Sequence, residues 1–259
     1  MLQIERLEKV LEYIDEKGTV NISELVDEFN VSKPTVLRDL KELENQNLII
    51  RVHGGAASKR RKGTNFEPKM SFKEKKAVEQ KEKIAELAYN HINSGETILL
   101  DTGSTTLMLA QKILSLRNVT VITNDIKIAM TLSDNDHIDL VVIGGQKRKG
   151  VYSLIGPIAE NILKQLNIDK VFLGADAVDY KAGLTNSNID ETNIKKTMLE
   201  VAKEKILLAD SSKFNNVAFT KIADLEVLDR IITDDLISKK DLEMLNEMGV
   251  IVETPKKEN

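Results

Sequence analysis

Apolar residues near the start of the chain recur every three or four positions. Leu7, Val10, Leu11 and Ile14 form one stripe, which predicts an amphipathic helix stopped by Gly18. Asn21 with Glu24 three residues on is a capping-box pattern, and Leu25, Val26 and Phe29 give the second helix its buried face. Asn30-Val31 makes a corner, with Val31 as an apolar plug. Ser32 is placed to cap a third helix, and Pro34 falls in its first turn, where no helical N–H is lost. Val36, Leu40 and Leu43 then face inward, leaving Lys33, Thr35, Arg38 and Lys41 outside. Leu48–Ile50 and Arg51–His53 read as the two strands of a hairpin, with Gly54-Gly55 at its tip. Two helices, a corner, a third helix and a basic hairpin over residues 1–58 are the outline of a winged helix-turn-helix. That arrangement would place the third helix in the major groove of a double-stranded DNA operator.

Beyond residue 75 the pattern changes to short apolar runs alternating with helical ones. Strands are predicted at 97–100, 119–122, 140–143, 170–173, 206–209, 230–233 and 250–252. Helices are predicted at 75–93, 106–115, 125–132, 158–166, 191–204 and 239–248. Alternation of this kind implies an α/β fold with a mainly parallel sheet covered on both faces, spanning 75–253. Residues 59–74 are polar, contain Gly63 and Pro68, and are expected to be a basic linker.

Charge sharpens the division. The 259-residue chain carries 37 basic and 41 acidic side chains, a formal net charge of −4, which excludes a general nucleic-acid coat. Residues 1–29 hold 3 basic and 8 acidic residues, whereas residues 30–62 hold 8 basic and 3 acidic. Positive charge is therefore confined to the third helix, the wing and the run Lys59-Arg60-Arg61-Lys62, where it suits phosphate contacts. With no cysteine there are no disulfides or thiolate sites, and His53, His91 and His137 lack metal-ligand spacing. No metal or cofactor is implied. Neither a leader nor a membrane span is expected, so a cytoplasmic location is.

The first strand of the second domain ends in Asp101-Thr102-Gly103-Ser104-Thr105-Thr106 and runs directly into a helix. Glycine allows a close turn there, and hydroxyls, successive N–H groups and the helix N-terminus converge, as a phosphate cradle requires. Other strand ends or nearby loops bring Asn124, Gly174-Ala175-Asp176, Glu191 and Lys213. Asn124 and Asp176 suit sugar hydroxyls, and Lys213 suits a phosphate dianion.

The corner, recognition helix and His53-Gly54-Gly55 wing resemble the DeoR-type repressors. The ordered series Thr102-Gly103-Ser104-Thr105, Gly174-Ala175-Asp176 and Asp210-Ser211-Ser212-Lys213 resembles that family's sensor domain, which is similar to ribose-5-phosphate isomerase. The resemblance implies a repressor of a carbohydrate-uptake or catabolic operon, working as a homodimer or larger homo-oligomer and released by a sugar phosphate. It implies DNA contacts from Ser32, Lys33, Thr35, Arg38, Arg51, His53 and Gly54. Effector contacts are implied for residues Asp101 to Thr106, Asn124, Asp176, Glu191 and Lys213. One position departs: the family has two arginines before its Asp-Leu, and here Leu37 replaces the first. Leu37 either packs or touches a thymine methyl. The rival reading is a sugar-phosphate isomerase with Asp176, Glu191 and Lys213 as its acid–base groups. Against it, Ala177-Val178 stands where an isomerase carries a further carboxylate.

Overall fold

The computed structural model describes residues 2–59, 64–65, 67–68 and 70–256. The chain divides into two compact units, Met1–Lys76 and Ala77–Asn259. Of the basic run, Arg60, Arg61 and Lys62 lie outside the described residues.

The first unit contains α1 (Gln3–Lys17), β1 (Thr19–Asn21), α2 (Ile22–Phe29), α3 (Lys33–Asn45), β2 (Ile49–Val52), β3 (Gly55–Ser58) and α4 (Met70–Lys75). Gly18 takes φ +82° to end α1, and the Asn21–Glu24 capping box forms at 2.8 and 2.7 Å. Asn30 turns the corner in the left-handed region at φ 48°. Ile14, Leu25, Leu40, Leu43 and Leu48 are fully buried together, and each such side chain contributes about 1.5–3 kcal/mol.

Two expectations need correction. The wing strands are β2 and β3, paired in a three-stranded antiparallel sheet of order β1-β3-β2, so Arg51 belongs to the first wing strand and not the second. Gly54, at φ +76°, makes the tip beside His53, whereas Gly55 already pairs with Asn21. A Cβ on Gly55 would sit 2.0 Å from the Val20 carbonyl oxygen, so close backbone approach, rather than the turn, demands that glycine. The stretch read as linker also ends in structure. Phe72 of α4 is buried in the core of the first unit.

The second unit runs α5 (Val78–Tyr89), β4 (Thr97–Leu100), α6 (Ser104–Lys112), β5 (Val119–Thr123), α7 (Ile126–Leu132) and β6 (Ile138–Val142). A small hairpin, β7 (Gln146–Lys147) and β8 (Leu154–Ile155), leads to α8 (Pro157–Leu163) and β9 (Ile168–Leu173). There follow β10 (Ala177–Asp179), β11 (Gly183–Asn186), α9 (Ile189–Val201), β12 (Ala202–Leu208), β13 (Thr220–Ala223), β14 (Arg230–Ile232), α10 (Lys239–Glu247) and β15 (Ile251–Glu253).

All seven strands expected from the sequence enter one parallel sheet of order β15-β14-β12-β9-β4-β5-β6. Alternate residues face opposite layers. Leu99, Ile122, Val171 and Leu207 meet Leu163, Met198 and Leu245 of α8, α9 and α10. Ile98, Val121, Phe172 and Ile206 meet Ile84, Leu109 and Ile128 of α5, α6 and α7. Burial on both faces explains why these strands are continuous apolar runs. The helix expected over 75–93 is broken at Ala77, whose φ is 50°. The helix expected to reach Glu204 yields to strand at Ala202, where pairing with Ile168 of β9 begins.

Candidate functional site

The outer side of α3 is cationic and free. Lys33, Leu37, Arg38 and Lys41 are exposed, and among the described residues no hydrogen bond or ion pair engages the three cations. Leu37 is 39% exposed, so it does not pack in the core. Ser32 stands at the N-cap position, yet its hydroxyl meets Thr35 Oγ1 at 2.9 Å instead of a helix N–H. The opposite side of α3 is anchored. Asp39, 1% exposed, accepts from Arg6 Nε at 2.5 Å and from Nη2 at 3.0 Å. Arg51 is half-buried on β2, and His53 and Gly54 are exposed at the wing tip.

In the second unit the expected effector groups collect at one end of the sheet. Asp101 to Ser104 leave β4, Asn124 leaves β5, Asp176 follows β9, and Lys213 closes a 3-10 turn, Ser211–Lys213, after β12. Since β12, β9, β4 and β5 are neighbours, these are the carboxyl ends of four adjacent strands, the place where open α/β sheets bind ligands. At the start of α6, Leu107 N–H bonds to Gly103 O at 3.0 Å, but the N–H groups of Gly103, Ser104 and Thr105 meet no acceptor among the described residues. Three successive free donors at a helix N-terminus form an anion-binding concavity. Two of the hydroxyls are already engaged: Thr102 Oγ1 donates to Asp125 Oδ2 at 2.5 Å, and Thr106 Oγ1 to Gly103 O at 3.0 Å.

Asp101 is fully buried. Its Oδ2 accepts from Gly174 N at 2.8 Å and from Lys195 Nζ, and Lys195 Nζ also donates to Gly174 O at 2.9 Å. Burial pushes the Asp101 carboxyl above its ordinary range, and the Lys195 ammonium and the Gly174 N–H oppose that rise. Glu191 is committed elsewhere. It pairs with Arg148 Nη1 at 2.9 Å, and accepts from Ser153 Oγ at 2.6 Å and Asn186 Nδ2 at 3.1 Å. Asp176 accepts from Ser187 N at 3.0 Å. Neither Asp176 nor Lys213 stands without a partner.

Sequence reasoning missed Lys195, Arg148 and Asp125. For Lys195 a signal existed: it lies one turn after Glu191 and between Ile194 and Met198, on the buried face of α9. Arg148 had none, since only the fold of the β7–β8 hairpin carries it to Glu191. Among the described residues no group of three or more His, Cys, Asp or Glu side chains could hold a metal ion, and no helix is long and apolar enough to cross a membrane.

A winged helix-turn-helix with a cationic reading face, joined to a parallel α/β unit with free donors at its strand ends, defines a DNA-binding regulator with a sensor domain. Residues 6–62 match the DeoR-like helix-turn-helix domain and residues 76–235 match the DeoR C terminal sensor domain. The chain belongs to the DeoR family of transcriptional regulators, and is a regulator rather than an enzyme. The HTH-type transcriptional regulator GlpR of Haloferax volcanii is 34% identical over 252 residues, covering 97% of this chain and 98% of the other. The lactose phosphotransferase system repressor of Lactococcus lactis is 36% identical, covering 95% and 97%. The glycerol-3-phosphate regulon repressor of Escherichia coli K12 is 30% identical, covering 90% and 92%. Among solved structures, ribose 5-phosphate isomerase A of Methanocaldococcus jannaschii aligns with 53% of this chain and 54% of that one, at 23% identity and a TM-score of 0.39. A likeness of that size bears on neither substrate nor reaction.

Proposed function

We propose that this regulator represses a carbohydrate-uptake or catabolic operon and is released when a phosphorylated sugar occupies the β4–α6 corner. The observation that carries the reading is the row of unanswered N–H groups at Gly103, Ser104 and Thr105, at the carboxyl end of a central strand. The names of the relatives, repressors of a glycerol-3-phosphate regulon and of a lactose phosphotransferase system, support it. In this reading the N–H groups and the Ser104 and Thr105 hydroxyls grip the phosphoryl group, Lys213 faces its charge, and Asp101, Asn124 and Asp176 meet the sugar. Thr102 and Thr106 spend their hydroxyl hydrogens, and Glu191 both of its carboxylate oxygens, on partners within the protein, so these three shape the corner rather than touch the ligand. Phosphorylated ketohexoses such as fructose 1-phosphate or tagatose phosphates are candidate effectors, and no residue of the set selects among them.

At the other end of the mechanism, Ser32, Lys33, Thr35 and Arg38 read the major groove, and Arg51, His53 and Gly54 hold the backbone. A homodimer or larger homo-oligomer pairs two such heads on two half-sites. Coupling of about 1–3 kcal/mol between the sites is enough to shift operator occupancy by about 5 to 150-fold. The test is a gel shift of the chain's own upstream region challenged with a panel of sugar phosphates. One member of the panel releases the wild-type protein, while Ser104→Ala and Lys213→Ala bind the same DNA and are not released. Release of both variants at wild-type concentrations would overturn the assignment.

A further inference from the structure

The large sheet has one unguarded margin, β6. Ile143 N–H donates to Thr123 O, and Val142 stands opposite Thr123. The alternation of a parallel ladder therefore turns the N–H and C=O of Asp139 and Val141 toward β5. Those of Leu140 and Val142 point outward, where no donor or acceptor meets them among the described residues. Val141 and Val142, on opposite faces of the strand, are 39% and 45% exposed. Natural sheets guard such margins with a very short strand, a proline or a charge. The opposite margin is guarded: β15 has three residues, and its Glu253 accepts from Arg230 Nη1 at 3.2 Å and lies 2.7 Å from His91 Nε2. Leu140 to Val142 carry neither charge nor proline.

Charge is ordered along this margin. Asp134, Asp136 and Asp139 stand at its start, and Lys147, Arg148 and Lys149 follow its end. Asp136, Asp139, Lys147 and Lys149 are exposed, and among the described residues no ion pair engages them. Two copies of β6 related by a twofold axis through Val141 answer each other on both counts. Leu140 of each copy exchanges its N–H and C=O with Val142 of the other, and the two Val141 side chains meet at the axis. The antiparallel course sets the acidic end of one strand beside the basic end of the other.

We propose that β6 is the surface through which two copies of this chain associate, edge to edge and antiparallel, joining their large sheets into one. A strand from another protein would bond to the same backbone, but only a second copy brings the same charges in reversed order. This rests on the homo-oligomer of the proposed function and supplies the contact that builds it.

The experiment is analytical ultracentrifugation of the full chain without DNA. The wild type sediments at micromolar concentration as a dimer or a multiple of one. Val142→Pro removes an outward N–H and no bond to β5, a substitution that edge strands tolerate. Val141→Lys sets two ammonium groups against each other at the axis. Each variant halves the mass or weakens association by at least about tenfold, with the far-ultraviolet circular dichroism unchanged. Where Val142→Pro fails to fold, Val141→Lys, whose parent side chain is exposed, carries the test. Reversing Asp136 and Asp139 to Lys weakens association, reversing Lys147 and Lys149 to Glu weakens it too, and the four changes together restore it. Failure of the fourfold variant to regain association overturns the antiparallel course. Wild-type association in Val141→Lys and in both charge reversals overturns the β6 contact and leaves the homo-oligomer standing. A monomeric wild type overturns both.

Discussion

Arg6 of α1 grips Asp39 of α3 through two parallel bonds, Nε to Oδ2 at 2.5 Å and Nη2 to Oδ1 at 3.0 Å. The carboxylate is on the buried side of the recognition helix, one residue after the exposed Arg38. The pair therefore fixes the rotation of α3 about its own axis, and with it the direction in which Arg38 and Lys41 project. Arg6→Ala leaves a buried carboxylate without its counter-charge and should cost about 3 kcal/mol or more. Hydrogen exchange of the α3 amides reads this unit separately. Unchanged protection in Arg6→Ala would mean that the pair does not hold the helix.

The cationic face of α3 makes a prediction in salt. Arg38→Ala and Lys41→Ala should each weaken operator binding and lower the log–log salt slope by about 0.9 for every phosphate contact removed. Leu37→Ala carries no charge, so it should leave the slope unchanged and weaken only operators with a thymine at the contacted step, by about 1–3 kcal/mol at most. A slope that moves with Leu37→Ala would mean that its loss disturbs neighbouring phosphate contacts, and would overturn the thymine assignment.

Gly55 is the most constrained position of the wing. Its Cβ would meet the Val20 carbonyl oxygen at 2.0 Å and Asn21 Cα at 2.9 Å, both backbone atoms with no side chain to yield. Gly55→Ala should push β3 away from β1 and cost about 1–3 kcal/mol, whereas Gly54, with no atom within 4 Å of its Cβ position, has only its φ of +76° to strain. Thermal melts of the two alanine variants compare them directly. Equal melting points would show that the β1–β3 approach is not rigid.

Tyr180 and Asp241 set a pH window. Burial tends to raise the Asp241 carboxyl, but bonds from Tyr180, Ser238 and Asn215 together hold it below its ordinary 3.8. Burial, and then the same bond, raises the Tyr180 phenol above its ordinary 10.0. A depressed carboxyl contributes stability that is present above its unfolded value and lost as pH falls through the folded one. A raised phenol contributes stability that is present below its unfolded value and lost as pH rises through the folded one. Tyr180→Phe should therefore cost about 1.5–3 kcal/mol at neutral pH, and the deficit should shrink at both extremes. A deficit that stays constant from acid to alkaline pH would refute the assignment.

Much of the second unit was legible because its seven strands are unbroken apolar runs with glycine or polar residues at their ends. The Ile98–Leu100 and Phe172–Leu173 runs have no other sensible burial than a sheet covered on both faces. The β7–β8 hairpin and the β10-β11-β13 sheet were not legible, since segments such as Gln146–Lys147, Gly183–Asn186 and Thr220–Ala223 are polar or mix polar and apolar residues, and form no unbroken apolar run. The site divides along the same line. Gly103, Ser104 and Thr105 stand out because the cradle is local in sequence. Lys195 and Arg148 do not, because Asp101 lies 94 residues before the one, and β8, α8, β9, β10 and β11 separate the other from Glu191. Nor could spacing reveal that Glu191 spends its carboxylate on Arg148, Ser153 and Asn186.

β4 is the first strand of the large sheet to be synthesised, and it ends up in the middle, with β5 on one flank and β9 on the other. As the ribosome delivers the chain, β5 and β6 can add at once, but the other flank stays bare until Ile168 has emerged. Contacts this distant in sequence form late and leave an unpaired edge meanwhile. A product truncated before Ile168 would carry a finished reading head beside half a sheet with a sticky margin. Such a fragment is fit for clearance by aggregation or proteolysis before it can act as an uncontrolled binder of operators.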